Sequence, residues 1–186
     1  MNQKSTEKDL FGKPKRKRRT SLEVGLERYD KNSFNERLER LRIVDKLIPK
    51  NYMMTLPPES FYVFQEAKDS FISGQFVATL MLSAAFVEHI LTIALNEKGF
   101  EKESKRGMRS ILKCLKKNGS ALTPIISKID HLQEIRNPFV HLKPYAHEST
   151  ISQRLTRLKK TDMELLEEDA KDALSIMYTV AFTRVW

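Results

Sequence analysis

Phe76-Val77-Ala78-Thr79-Leu80-Met81-Leu82-Ser83-Ala84-Ala85-Phe86-Val87-Glu88-His89-Ile90-Leu91-Thr92-Ile93-Ala94-Leu95 is the longest apolar stretch of the chain, and its reading decides the fold. It is long enough to cross a bilayer as a helix. Glu88 and His89 sit inside it, however, and an ionisable pair at that depth is costly in lipid. The stretch therefore reads as a buried helix over 75–98, stopped by Gly99. A helix apolar nearly all round is central in its bundle, because neighbours must cover every side of it.

Working outward, the same helical period recurs. Residues 59–73 place Phe61, Phe64, Ala67, Phe71 and Ile72 on one side, and Gly74 punctuates them. A short basic helix is predicted over 107–118, ended by Gly119. Another runs over 122–135 from the favourable start Thr123-Pro124. Pro138 and Pro144 interrupt residues 136–150. A last helix over 162–184, capped by Asp162, turns Leu165, Leu166, Ala170, Ala173, Leu174, Met177, Val180 and Ala181 inward. Upstream, Phe34, Leu38, Leu41 and Leu47 suggest a helix over 33–48 capped by Ser33 and ended by Pro49, either packed on the core or offered to a partner. No strand alternation appears. The expectation is an all-α, up-and-down helical bundle at 58–186, a helical extension and linker at 33–57, and a basic, disordered arm at 1–32.

Composition agrees. The chain has 186 residues, 40% hydrophobic and 31% charged, with 6 Gly and 7 Pro, a mix that suits helices better than a turn-rich sandwich. The single Cys114 cannot form an internal disulfide, which points to a reducing compartment. The polar N-terminus has no apolar segment after its basic cluster, so neither a signal peptide nor a membrane role is expected, and the location reads as cytoplasmic. The net charge of +9 is uneven. Residues 1–50 carry 15 Lys and Arg against 8 Asp and Glu, and residues 51–186 carry 18 against 16. Lys13, Lys15, Arg16, Lys17, Arg18 and Arg19 form the densest run. It fits a phosphate-gripping arm, a nuclear address or a solvated tail.

One segment has the residue types for chemistry: Glu134-Ile135-Arg136-Asn137-Pro138-Phe139-Val140-His141. Asn137 and His141 share a face if the segment is helical, and Arg136 is long enough to converge on them. Pro138 suggests a helix start or kink here. RNA carries its own nucleophile, the ribose 2′-hydroxyl. Cleavage then needs a group that exchanges protons near neutral pH, which is histidine, and a fixed positive charge on the phosphoryl oxygens, which is arginine. The bland alternative is a pair of side chains that merely tie two helices together.

The pattern Arg136-Asn137-Pro138-Phe139-Val140-His141 resembles the R-N-x-x-x-H signature of the HEPN superfamily. Phe71-Ile72-Ser73-Gly74-Gln75-Phe76 and Ala84-Ala85-Phe86-Val87-Glu88 are similar to the first two helices of many HEPN domains, in which a short break precedes a long apolar helix with one acid. The resemblance covers roughly 59–184. It implies a homodimer whose facing motifs build one composite site, and a metal-independent endoribonuclease, needing no cofactor, of toxin–antitoxin or phage-defence type, with an antitoxin or regulatory protein as a possible partner. It further implies that Arg136 stabilises the transition state, His141 is acid or base, Asn137 positions them and Glu88 holds Arg136. The alternative it carries is a non-catalytic module for dimerisation and for binding a partner protein or nucleic acid.

Other polar groups read more plainly. His89, adjacent to Glu88, should point elsewhere. His131 and His147 have no ligands at metal spacing. Cys114 is a half-buried thiol or a slightly activated one. Lys105, Arg106, Arg109, Lys113, Lys116 and Lys117 are dense enough to contact RNA phosphates, and fit a solvated helix face equally well. There is no phosphate-binding glycine loop, Ser-His-Asp set or dinucleotide fingerprint.

Overall fold

A computed structural model describes residues 19–50 and 54–185. Among them the secondary structure is entirely helical, with no strand. The elements are α1 (Ser21–Leu47), α2 (Pro58–Ile72), α3 (Phe76–Glu97), α4 (Glu101–Ser104), α5 (Met108–Lys117), a 3₁₀ turn (Thr123–Ile125), α6 (Ile126–Val140), α7 (Ile151–Leu158) and α8 (Asp162–Phe182). The chain divides into two compact units, Met1–Glu36 and Arg37–Trp186.

In the first unit, α1 begins at Ser21, well before the Ser33 start expected from sequence. Its cap is Thr20-Ser21-Leu22-Glu23: the Glu23 N–H donates to Thr20 Oγ1 at 3.2 Å and the Thr20 N–H to Glu23 Oε2 at 2.7 Å. That reciprocal pair satisfies helix-end donors and moves the start upstream. Ser33 lies mid-helix, its hydroxyl donating back to the Tyr29 carbonyl.

In the second unit, α3 is the axis, as its composition predicts. One side, Leu80, Ala84, Val87, Leu91 and Leu95, packs with Ile111 and Leu115 of α5, Ile129 and Leu132 of α6, and Ala173 and Val180 of α8. Its other side, Phe76 and Phe86, packs with Phe64, Ala67 and Phe71 of α2 and Leu174, Met177 and Tyr178 of α8. A single run thus feeds two cores. It is the one described helix long and apolar enough to cross a membrane.

The structure fixes several faces and caps that sequence leaves open or places elsewhere. On α2 the buried row is Ser60, Phe64, Ala67 and Phe71, while Phe61 is exposed. The segment from Arg37 to Leu47 packs on the core rather than standing free, through buried Val44 with Ile43 and Leu47 beside it, whereas Leu41 is largely exposed. On α8 the cap is Thr161, not Asp162. The Thr161 hydroxyl accepts from the Glu164 N–H and the Glu164 carboxylate accepts from the Thr161 N–H. Short α4 and α7 were not expected at all.

The α2–α3 turn requires Gly74. Its φ is +78°, and an added Cβ would lie 2.9 Å from Arg40 Nη1. That guanidinium sits 5.1 Å from the Phe76 ring centroid, a cation–π contact. Phenylalanine-rich packing and this turn together lay α3 against α2.

Candidate functional site

The motif occupies the end of α6. Ile129, Leu132 and Ile135 are buried in the core and lock the helix in rotation. Arg136, one residue past Ile135, is therefore held at the edge of the core and is partly buried. Its Nε is buried without a hydrogen-bond partner, and so is Gln133 Nε2 one turn earlier on the same helix. An N–H donor shut away unpaired costs about 1–3 kcal/mol.

Pro138 neither starts the helix nor stops it; α6 continues through it to Val140. Proline has no N–H for the Glu134 carbonyl, a loss tolerated in a last turn. His141 ends the helix in extended conformation (φ −125°, ψ 124°), its N–H donating to the Asn137 carbonyl at 2.8 Å. The His141 side chain is exposed and Asn137 is partly buried. No hydrogen bond or ion pair joins the side chains of Arg136, Asn137 and His141 among the described residues. The structure brings the three to one helix end and leaves them unlinked there.

Large apolar side chains reach water at this helix end and in the loop after it. Val140 is 41% exposed, Leu142 102% and Tyr145 77%. Leu142 touches nothing that would shield it. Sequence reading passed over this feature, although an apolar residue next to a candidate site histidine was visible.

Glu88 does not hold Arg136 within one chain: no ion pair links them among the described residues. Ala85, Glu88, His89 and Thr92 share a side of α3 that faces Pro57, Glu59 and Ser60, lining a groove of about 490 Å³. Leu80, Ala84, Val87 and Leu91 of α3 instead share a core cluster with Ile129, Leu132 and Ile135 of α6. His89, expected to diverge from Glu88, lines the same groove. A second groove, about 260 Å³, runs between α6 and α8 past Lys128, His131, Ile135 and Asp172. Neither groove is lined by Arg136, Asn137 or His141.

Of the basic arm, Lys13, Lys15, Arg16, Lys17 and Arg18 lie outside the described residues. Arg19 is described, and it pairs with Glu27 at 2.5 Å in an exposed ion pair. Such pairs are worth little, so Glu27 does not lock Arg19 away from other anions. Cys114 is buried, and burial first, then Glu103, raises its thiol pKa. It is an inert core thiol, not an activated one. His131 Nδ1 lies 3.5 Å from Glu134 and His147 Nδ1 2.8 Å from Ser149 Oγ. No group of three metal-ligating side chains occurs among the described residues.

One polar pair was not anticipated. Arg154 of α7 and Asp169 of α8 meet in a bidentate fork, Nη1 to Oδ2 and Nη2 to Oδ1 at 2.6 Å each, with side chains 7% and 8% exposed. Arg154 is the one buried residue of α7. The pair fixes α7, and so the far end of the loop that begins at His141.

Set against protein-family models, curated proteins and solved structures, the chain finds no match in any of the three.

Proposed function

We propose that this protein is a metal-independent endoribonuclease of HEPN type, acting as a homodimer in which the two motif ends of α6 complete one site. The observation that carries this reading is the gathering at one helix end of a partly buried Arg136, whose Nε has no protein partner, a partly buried Asn137 and an exposed His141. A phosphate diester offers oxygen acceptors to the part of Arg136 that reaches the surface. The planar guanidinium suits its oxygens. Exposed Val140, Leu142 and Tyr145 beside the motif support dimerisation, because a second copy seated there removes apolar surface from water.

The chemistry follows from the residues. The 2′-hydroxyl of the RNA attacks its own phosphorus and gives its proton to one imidazole. The 5′-oxygen leaves and takes a proton from a second imidazole, the His141 of the other copy. Arg136 carries the growing charge on the non-bridging oxygens, and Asn137 orients its neighbours. The P–O bond formed balances the one broken, giving a cyclic 2′,3′-phosphate and a free 5′-hydroxyl without water or metal. RNA is the partner that the site addresses, and a toxin–antitoxin or phage-defence setting, with a regulatory protein over the exposed loop, is the biological context that the HEPN resemblance suggests.

Purified protein incubated with mixed RNA in chelator tests this. Cleavage that His141→Ala and Arg136→Ala each abolish, with cyclic phosphate ends, is the expected result. Equal cleavage by wild type and variants would end the claim. The same exposed loop favours a second reading, a non-catalytic module for dimerisation and partner binding. A dimer that Leu142→Glu dissociates, together with no cleavage by wild type, would select it.

A further inference from the structure

Helix α5 is held by one face and charged on the other. Met108, Ile111, Leu112, Cys114 and Leu115 are buried, which fixes the helix in rotation. Lys105, Arg106, Arg109, Lys113, Lys116 and Lys117 are all exposed. The segment 104–119 contains no Asp or Glu. None of these six cations takes part in an ion pair among the described residues. From Arg109 to Lys117, the four on α5 cover roughly 12 Å of rise at about 1.5 Å per residue.

Charge segregation separates a binding face from a merely soluble one. Residues 51–186 carry 18 Lys and Arg against 16 Asp and Glu. Outside these six, 12 cations face all 16 carboxylates, so the remainder of that stretch is acidic and the positive charge is concentrated here. Elsewhere on the surface, Lys171 pairs with Glu167 at i,i+4, and Lys160 pairs with Glu168. On α5, cations recur at i and i+4 (Arg109, Lys113, Lys117), an arrangement that costs free energy in isolation. The helix dipole accounts for Lys116 and Lys117 at the C-terminal end. It opposes Lys105, Arg106 and Arg109, which sit at or before the N-terminal turn. An external polyanion offsets both costs.

We propose that the exposed face of α5 is a track for the phosphate backbone of RNA, gripping it without reading its sequence. As the holding surface for the strand cut at the α6 motif, it rests on the ribonuclease reading, but RNA binding can be measured without cleavage. The described structure of α5 carries it independently of the basic run near the N-terminus.

The test uses the full chain carrying His141→Ala, so that RNA stays intact, and fluorescence anisotropy with labelled oligouridine over a salt series. Arg109→Gln, Lys113→Gln, Lys116→Gln and Lys117→Gln are combined, all at exposed positions, beside a charge-keeping set with Arg109→Lys and the three lysines changed to Arg. The Gln set is expected to weaken binding about tenfold or more near 0.1 M salt and to lower the log–log salt slope by about 3, at roughly 0.7 per lost contact on a single strand. The charge-keeping set should bind as the parent does, which excludes a folding defect. Unchanged affinity and slope in the Gln set would overturn the proposal. So would equal loss in both sets, absence of RNA binding by the parent, or binding confined to oligodeoxythymidine or to phosphatidylserine vesicles. In the His141 background restored to wild type, cleavage by the Gln set with raised KM and unchanged kcat links the track to the site. Loss of RNA binding in a protein that never cleaves leaves the track standing and removes the ribonuclease.

Discussion

Replacing Asp169 with Asn strips the charge from a pair that water barely reaches. Both side chains are under a tenth exposed, and two 2.6 Å contacts join them. Removing one partner leaves the Arg154 guanidinium buried without its counter-ion, which costs about 3–5 kcal/mol. For a chain of this size 1 kcal/mol corresponds to roughly 2–4 °C, so the lower bound alone lowers Tm by about 6–12 °C. The helix can evade part of that cost. Arg154 is the one buried residue of α7, and Ile151 and Leu155 are only half-buried, together worth about 2 kcal/mol if each contributes half of a full burial. Detaching α7 is therefore cheap, and the loss should appear partly as Tm and partly as collapsed amide protection over 152–158. Circular dichroism melts and hydrogen exchange read the two. The double variant Arg154→Met with Asp169→Leu, which leaves no orphan charge, should recover most of the stability. A Tm within a degree of wild type and unchanged α7 protection in Asp169→Asn would refute the assignment of this pair as the clamp on α7.

Gly74→Ala places a Cβ at φ +78° and 2.9 Å from Arg40 Nη1, so urea denaturation should show a loss of about 1–2 kcal/mol from the left-handed backbone alone. Tyr178 has its hydroxyl buried with no partner and its pKa pushed up to about 12 by burial and then by Asp69. A raised acid pKa favours the neutral phenol in the fold, so its contribution is intact below pH 10 and is lost as pH climbs towards 12. Tyr178→Phe should remove that alkaline loss and leave stability at pH 7 unchanged or higher by about 1 kcal/mol, read by chemical denaturation at both pH values. The Glu164 carboxyl is held below its ordinary value by the Thr161 N–H and hydroxyl. The stabilisation that it brings is present above about pH 4.5 and fades as pH falls through the lowered value, and Thr161→Ala should flatten that acid limb of a Tm-versus-pH series.

Legibility in the sequence tracked the size of the local signal. The apolar run from Phe76 to Leu95 and the periodic row on α8 announce helices, because burial of one face dominates their free energy. Boundaries were harder. Thr20-Ser21-Leu22-Glu23 and Thr161-Asp162-Met163-Glu164 both carry a capping box, whereas Ser33 and Asp162, read as caps on residue type alone, are not the ones used. Phe61 reads as inward because it is large and apolar, and it is exposed because the neighbouring row through Phe64 meets α3 and α8 first.

The amino-acid sequence by itself determined that this chain is helical, that α3 lies at its centre, and that an arginine, an amide and a histidine sit within one short segment. Those are properties of nearest neighbours and of a 3.6-residue period. Which groups meet was decided by tertiary structure alone: the Arg154–Asp169 fork, the side of α3 that carries Glu88 away from Arg136, and the unpaired donors of Gln133 and Arg136. Partners in space depend on how each helix is rotated about its axis. That rotation is set by the packing of several faces at once, which no single segment encodes.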